Sequence, residues 1–193
     1  MPFSTAILRR LTFVPAMIAM IFLVSCSSDT MEPENSASPL RVRLITGQQY
    51  SNAIAQIFGA DIGDSVFAPL PPLTRTDGLL ASGAAFVGVT SDQIQQIQQA
   101  AEFVAAKVVD EYHRDYLISC RPISVTQADA ACAGEFIRDT GRLIYRHLLS
   151  ENKVSELITV ANNAADQTGD FYAGLAIALE SMLISPEVIF IVD

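Results

Sequence analysis

Five residues in this chain have side chains suited to covalent sulfur chemistry or to proton transfer near neutral pH: Cys26, Cys120, Cys132, His113 and His147. The two histidines stand in neither His-x-x-x-His nor His-x-x-Glu-His spacing, so no metal site is expected. His113 falls in the charged run Asp110-Glu111-Tyr112-His113-Arg114-Asp115 and is expected to be solvated. His147 lies near an expected helix C-terminus, where bonding to the last carbonyls or favouring the dipole is role enough. The chain has no Gly-x-Ser-x-Gly elbow, phosphate loop or dinucleotide fingerprint, so hydrolase, nucleotide-binding and Rossmann readings find no support. Acidic pairs such as Asp61 with Asp64, or Asp110 with Glu111, are too common in acidic chains to nominate a glycosidase. No catalytic residue, metal ligand or cofactor follows from these patterns.

Cys26 has the more informative surroundings. Arg9 and Arg10 precede an apolar run from Leu11 to Val24, broken only by Thr12 and Pro15, and the run stops at Ser25. That order is signal-peptide anatomy, and it falls short of the about 20 apolar residues a permanent membrane span needs. Leu23-Val24-Ser25-Cys26 resembles the bacterial lipobox, in which the cysteine thiol takes diacylglycerol, the signal is cut before it and the new amino group is acylated. Residues 1–25 are thus expected to be a lipoprotein signal and Cys26 the lipidation site. The protein would be held at the cell envelope, facing the periplasm or cell surface; three acyl chains would anchor it almost permanently. Ser27 leans weakly toward the outer membrane. The competing reading is an ordinary secretory signal with an incidental cysteine.

Export places Cys120 and Cys132 in an oxidising compartment, where a pair usually bridges. A Cys120–Cys132 disulfide is predicted, stabilising by about 3 kcal/mol in the chain-entropy model and pinning the Arg121-Pro122 loop to the next helix. A redox or metal pair is the alternative, but the spacing is not Cys-x-x-Cys and no histidine lies between them.

The chain has 21 acidic and 12 basic residues and a formal charge of −9. Removing residues 1–25 takes away two arginines and no acid, leaving −11. A nucleic-acid partner is not expected, because a duplex binder needs a basic footprint that no Lys or Arg run supplies.

Residues 26–39, rich in Ser, Pro, Glu and Asn, cannot bury enough surface to repay ordering and read as a flexible tether. Residues 40–193 then have the length and apolar content of one domain, in two modules, 40–110 and 111–193. The fold class is all-α, an irregular bundle of about five helices with a long Pro- and Gly-containing loop. Thr46-x-x-Gln49 has capping-box form; Tyr50, Ile54, Ile57 and Phe58 share one face, and Gly59 is the stop. From Ala60 to about Thr90 an irregular, largely non-helical excursion is expected, because it holds Pro69, Pro71, Pro72 and several glycines. Thr90 with Gln93 makes a second capping box and starts a helix whose buried stripe is Ile94, Ile97, Ala101, Val104 and Val108, beside a solvated glutamine face. A third helix is expected from about Thr126 to Leu149, with Cys132, Phe136, Leu143, Ile144 and Leu148 inward. A fourth follows Ser150 as N-cap, with Val154, Leu157, Ile158 and Ala161 inward. A fifth spans about Asp170 to Ile184, packing through Phe171, Leu175, Leu179, Met182 and Leu183, and Pro186 forbids simple continuation.

Two stretches resemble known families. Arg43-Leu44-Ile45-Thr46-Gly47-Gln48-Gln49-Tyr50-Ser51-Asn52-Ala53-Ile54, followed by Ile57-Phe58-Gly59, is similar to the opening motif of domain of unknown function 1587, first noted in planctomycetes. Arg142-Leu143-Ile144-Tyr145-Arg146-His147-Leu148-Leu149 and Leu183-Ile184-Ser185-Pro186-Glu187-Val188-Ile189-Phe190 are similar to domain of unknown function 1595, as is the Cys120…Cys132 pair. Leu148 departs from the proline, and His147 from the arginine, of that pattern. Family members usually continue into domain of unknown function 1592 and cytochrome-associated modules. The resemblance therefore implies a periplasmic assembly linked to electron transfer or polymer metabolism, with cytochrome-type proteins among its partners. This chain has no Cys-x-x-Cys-His haem attachment site.

Two functional readings follow. One is a non-catalytic envelope lipoprotein whose helical domain docks other components of such an assembly. The other is a fragment: the N-terminal part of a larger redox protein or enzyme, ending at Asp193 about where the next module would begin. An exposed apolar strip at Val188–Val192 would call for a covering partner or module.

Overall fold

The computed structural model describes residues 42–66 and 90–192, within a compact unit that begins at Leu40. The expected signal (residues 1–25), Cys26, the expected tether and the stretch that holds Pro69, Pro71 and Pro72 lie outside the described residues.

Among the described residues five long helices form the bundle, as expected: α1 (Gly47–Phe58), α3 (Ser91–Val109), α5 (Ala130–Ile144), α6 (Glu151–Thr168) and α7 (Phe171–Leu183). Single-turn helices intervene: α2 (Ala60–Gly63), α4 (Arg114–Leu117) and α8 (Pro186–Ile189). Two three-residue strands, β1 (Val42–Leu44) and β2 (Phe190–Val192), pair antiparallel with Arg43 opposite Ile191. Both capping boxes form: Thr46 and Thr90 each accept an N–H from the glutamine three residues on, and each glutamine Oε1 accepts the cap residue's N–H in return. Gly59 ends α1 at φ +111°, a conformation that a Cβ disfavours.

The most apolar helix, α7, runs through the centre and packs chiefly against α6 and α3. Phe171, Leu175, Leu179, Met182 and Leu183 are all buried, as their spacing requires. Gly174 lets α6 approach closely: a Cβ there would strike the Ala161 carbonyl oxygen and lie 2.7 Å from the Ala165 nitrogen. Phe136, Ile137 and Cys132 of α5 and Val154 and Leu157 of α6 complete this side of the core.

Several expectations need correction. The third helix spans Ala130–Ile144 rather than Thr126–Leu149. Asp129, not Thr126, is its N-cap, taking the N–H groups of Ala131 and Cys132. At the other end Arg146 adopts φ +63°, which no α-helix accommodates, so Leu148 is 82 % exposed instead of inward. Leu143, also expected inward, faces outward on α5. The start of the irregular excursion carries one helical turn, α2, fixed by the buried Ile62 and by Ser51 Oγ donating to the Gly63 carbonyl at 2.7 Å. Within the Val188–Val192 strip, Val188 and Ile189 are buried, Phe190 and Ile191 are half-buried against the core, and β2 is paired with β1.

Candidate functional site

Among the described residues, four places bring polar groups or apolar side chains together, at turns and near helix ends. The first is the corner where α3 gives way to α4. Asp110 ends α3, and its Oδ1 accepts the backbone N–H groups of Tyr112 (3.0 Å) and His113 (2.9 Å), closing a tight turn. The turn aims the His113 ring inward. Its Nδ1 lies 2.6 Å from Asp110 Oδ1 and its Nε2 lies 2.9 Å from Asp61 Oδ2 on α2. The side chain is only 9 % exposed, so the solvated histidine expected from the charged run is in fact enclosed. Tyr112 stands edge-on to the ring at 4.9 Å and Tyr116 tilts against it at 5.8 Å.

Electrostatics at this corner follow from the geometry. Burial works to lower the His113 pKa, but the hydrogen bonds and charges of Asp110 and Asp61 outweigh it and hold the imidazole above its ordinary value. The His113 hydrogen bond is the main reason the Asp61 carboxyl is held below its usual range. For Asp110 burial pushes upward, and the bonds from the His113 ring and backbone overcome it. Tyr116 is pushed up by desolvation and by the nearby acids. The carboxylates sit on different nitrogens of one ring and so do not converge on a common point. Among the described residues, no group of three or more His, Cys, Asp or Glu could hold a metal ion.

Next in the chain comes the disulfide. Cys120 and Cys132 are bonded, with Cα atoms 5.4 Å apart, as predicted. The bridge joins the loop after α4 to the first turn of α5. Asp129 reinforces it by accepting the Ile123 N–H at 3.0 Å, and the backbone N–H groups of Cys132 and Ile123 keep its carboxyl below the usual range. Arg121 binds Asp115 at 3.1 Å and the Ile118 carbonyl at 3.2 Å, tying the loop back to α4.

The third place is the α5–α6 junction with α8. Arg146 donates to the Val188 carbonyl at 3.2 Å, which compensates its left-handed backbone. His147 follows; its Nδ1 is 2.9 Å from the Leu148 carbonyl and its Nε2 is 4.0 Å from Glu187. It lies beyond the end of α5 and bonds a loop carbonyl, not the helix carbonyls its position suggested.

Between α3 and α8 lies an apolar groove of about 300 Å³ lined by Ile94, Ile97, Ile184, Pro186, Ile189 and Phe190, with Gln98 at its polar edge. Ile94, expected in the buried stripe, is 56 % exposed here, in the first turn of α3. Nothing in the spacing distinguished it from Ile97, which is buried.

Residues 43–110 match the family described as a protein of unknown function (DUF1587), and residues 132–193 match a second protein of unknown function (DUF1595). No curated protein and no solved structure matches the chain. The histidine of the first site lies between the two matched regions, while both its carboxylate partners lie in the first. None of the described helices is long and apolar enough to cross a membrane.

Proposed function

The chain carries domains of unknown function 1587 and 1595 in that order, and from that premise we propose that it is a non-catalytic docking domain of an envelope lipoprotein. The anchor is lipid on Cys26, and the docking face is the groove between α3 and α8. The observation that carries the reading is Ile94: a large aliphatic side chain, more than half exposed, beside a concave surface made almost wholly of apolar side chains. Isolated exposed aliphatics are ordinary, but a rimmed apolar concavity is where a partner side chain gains most from leaving water. By resemblance, the partner belongs to a cytochrome-associated or polymer-handling assembly of the periplasm.

Anchoring and docking are tested separately. Cys26→Ala should leave the protein soluble or as uncut precursor in cell fractions; unchanged membrane attachment contradicts the anchor. Ile94→Lys, in the full lipidated chain with its helical content checked, should shift the protein from a larger assembly to the free chain in native sedimentation. An unshifted assembly contradicts docking at this groove.

A further inference from the structure

We propose that the Asp61–His113–Asp110 clamp is a pH-operated latch, holding α2 against the α3–α4 corner while the imidazole carries both its protons and releasing α2 when one is lost. Each ring nitrogen faces a carboxylate oxygen, at 2.6 and 2.9 Å, so both bonds are donated only by the imidazolium. A neutral imidazole has one N–H and one lone pair, and the lone pair then faces a carboxylate.

Which contact yields is decided by what else holds each acid. Asp110 keeps its two backbone N–H donors and has Lys107 at 3.8 Å, whereas Asp61 is 55 % exposed and can turn to water. The other cations around the corner are engaged elsewhere: Arg114 lies 3.7 Å from Glu111 and over the Tyr172 ring, and Arg121 binds Asp115. Tyr112 and Tyr116 cover the ring, and the Tyr116 hydroxyl is pushed upward by desolvation and by the nearby acids. Among the ion pairs of the described residues, His113 is the cation that reaches Asp61. Loss of its charge therefore frees α2 from the segment between the two family domains. Ile62 and the Ser51 bond remain, so the release is local and not an unfolding of the bundle.

Amide hydrogen exchange of the full chain tests this, read at the α2 turn where the N–H groups of Gly63, Asp64 and Val66 are hydrogen-bonded. Rates are normalised to those of unstructured amides and followed from about pH 5 to about pH 8, with His113 titrated in parallel by its ring resonances. The protection at these amides should fall about ten-fold across the His113 titration, while that of α6 and α7 holds. Asp61→Asn should begin at the low protection and show no step. A flat wild-type profile across the His113 titration overturns the latch, and so does an equal step in Asp61→Asn.

Discussion

Between α6 and α7 two backbones meet over Gly174 with Leu175, Leu179 and Ala161 buried around them; where α2 meets α3 and α4, a buried imidazole stands between two carboxylates. The first contact is made by shape and exclusion of water, which have no titration. The second depends on a charge that the loss of a single proton removes. Both belong to one fold, so the difference separates what keeps the bundle together from what can be adjusted within it.

The sharpest break in the comparison comes from the packed side. Leu179→Ala removes a fully buried side chain from the central helix and should cost about 2–5 kcal/mol. Denaturant unfolding measures it, and the loss should be the same on either side of neutral pH. A loss that changed with pH would mean the seam is coupled to the corner.

Opening the bridge with the double variant Cys120→Ser, Cys132→Ser should cost about 3 kcal/mol, somewhat less if the Asp129 and Arg121 bonds keep the loop in place. Thermal melts with and without reductant check this, and the variant should no longer respond to reductant.

The corner should show the smallest effect and the only bell-shaped one. His113 is raised in the fold, so its contribution is complete below the unfolded value near 6.5 and is lost as pH rises through the folded value. Asp61 and Asp110 are lowered, so theirs is complete above the unfolded value near 3.8 and is lost as pH falls through the folded values. The melting difference between wild type and Asp61→Asn should therefore be greatest between these limits and shrink on both sides. A difference that rose steadily with pH would contradict the charged clamp.

How far the sequence could be read follows the same division. The caps at Thr46 and Thr90 were legible because a capping box is a matter of four consecutive residues. The cores of α6 and α7 were legible because helical spacing puts Leu157 with Ala161, and Leu175 with Leu179 and Met182, on one face. The end of α5 was not, because Arg146 is held in its left-handed conformation by the Val188 carbonyl, 42 residues further on. The exposure of Ile94 was hidden for a related reason: periodicity gives the face of a helix but not where its neighbour stops. At the corner, the charged run around His113 read as solvated, and Asp61, which encloses the ring from the other side, lies 52 residues away with nothing local to join it to the histidine. The disulfide was legible from the cysteine count and the expected compartment.

The docking reading is tested most directly by placing a photoreactive side chain at position 94 of the full chain in intact cells, with the same group at the fully exposed position 123 as reference. A discrete crosslinked species from position 94, absent from 123 and lost when Ile184→Lys is added on the facing wall, is the result the account predicts. Equal or no crosslinking at the two positions would contradict it.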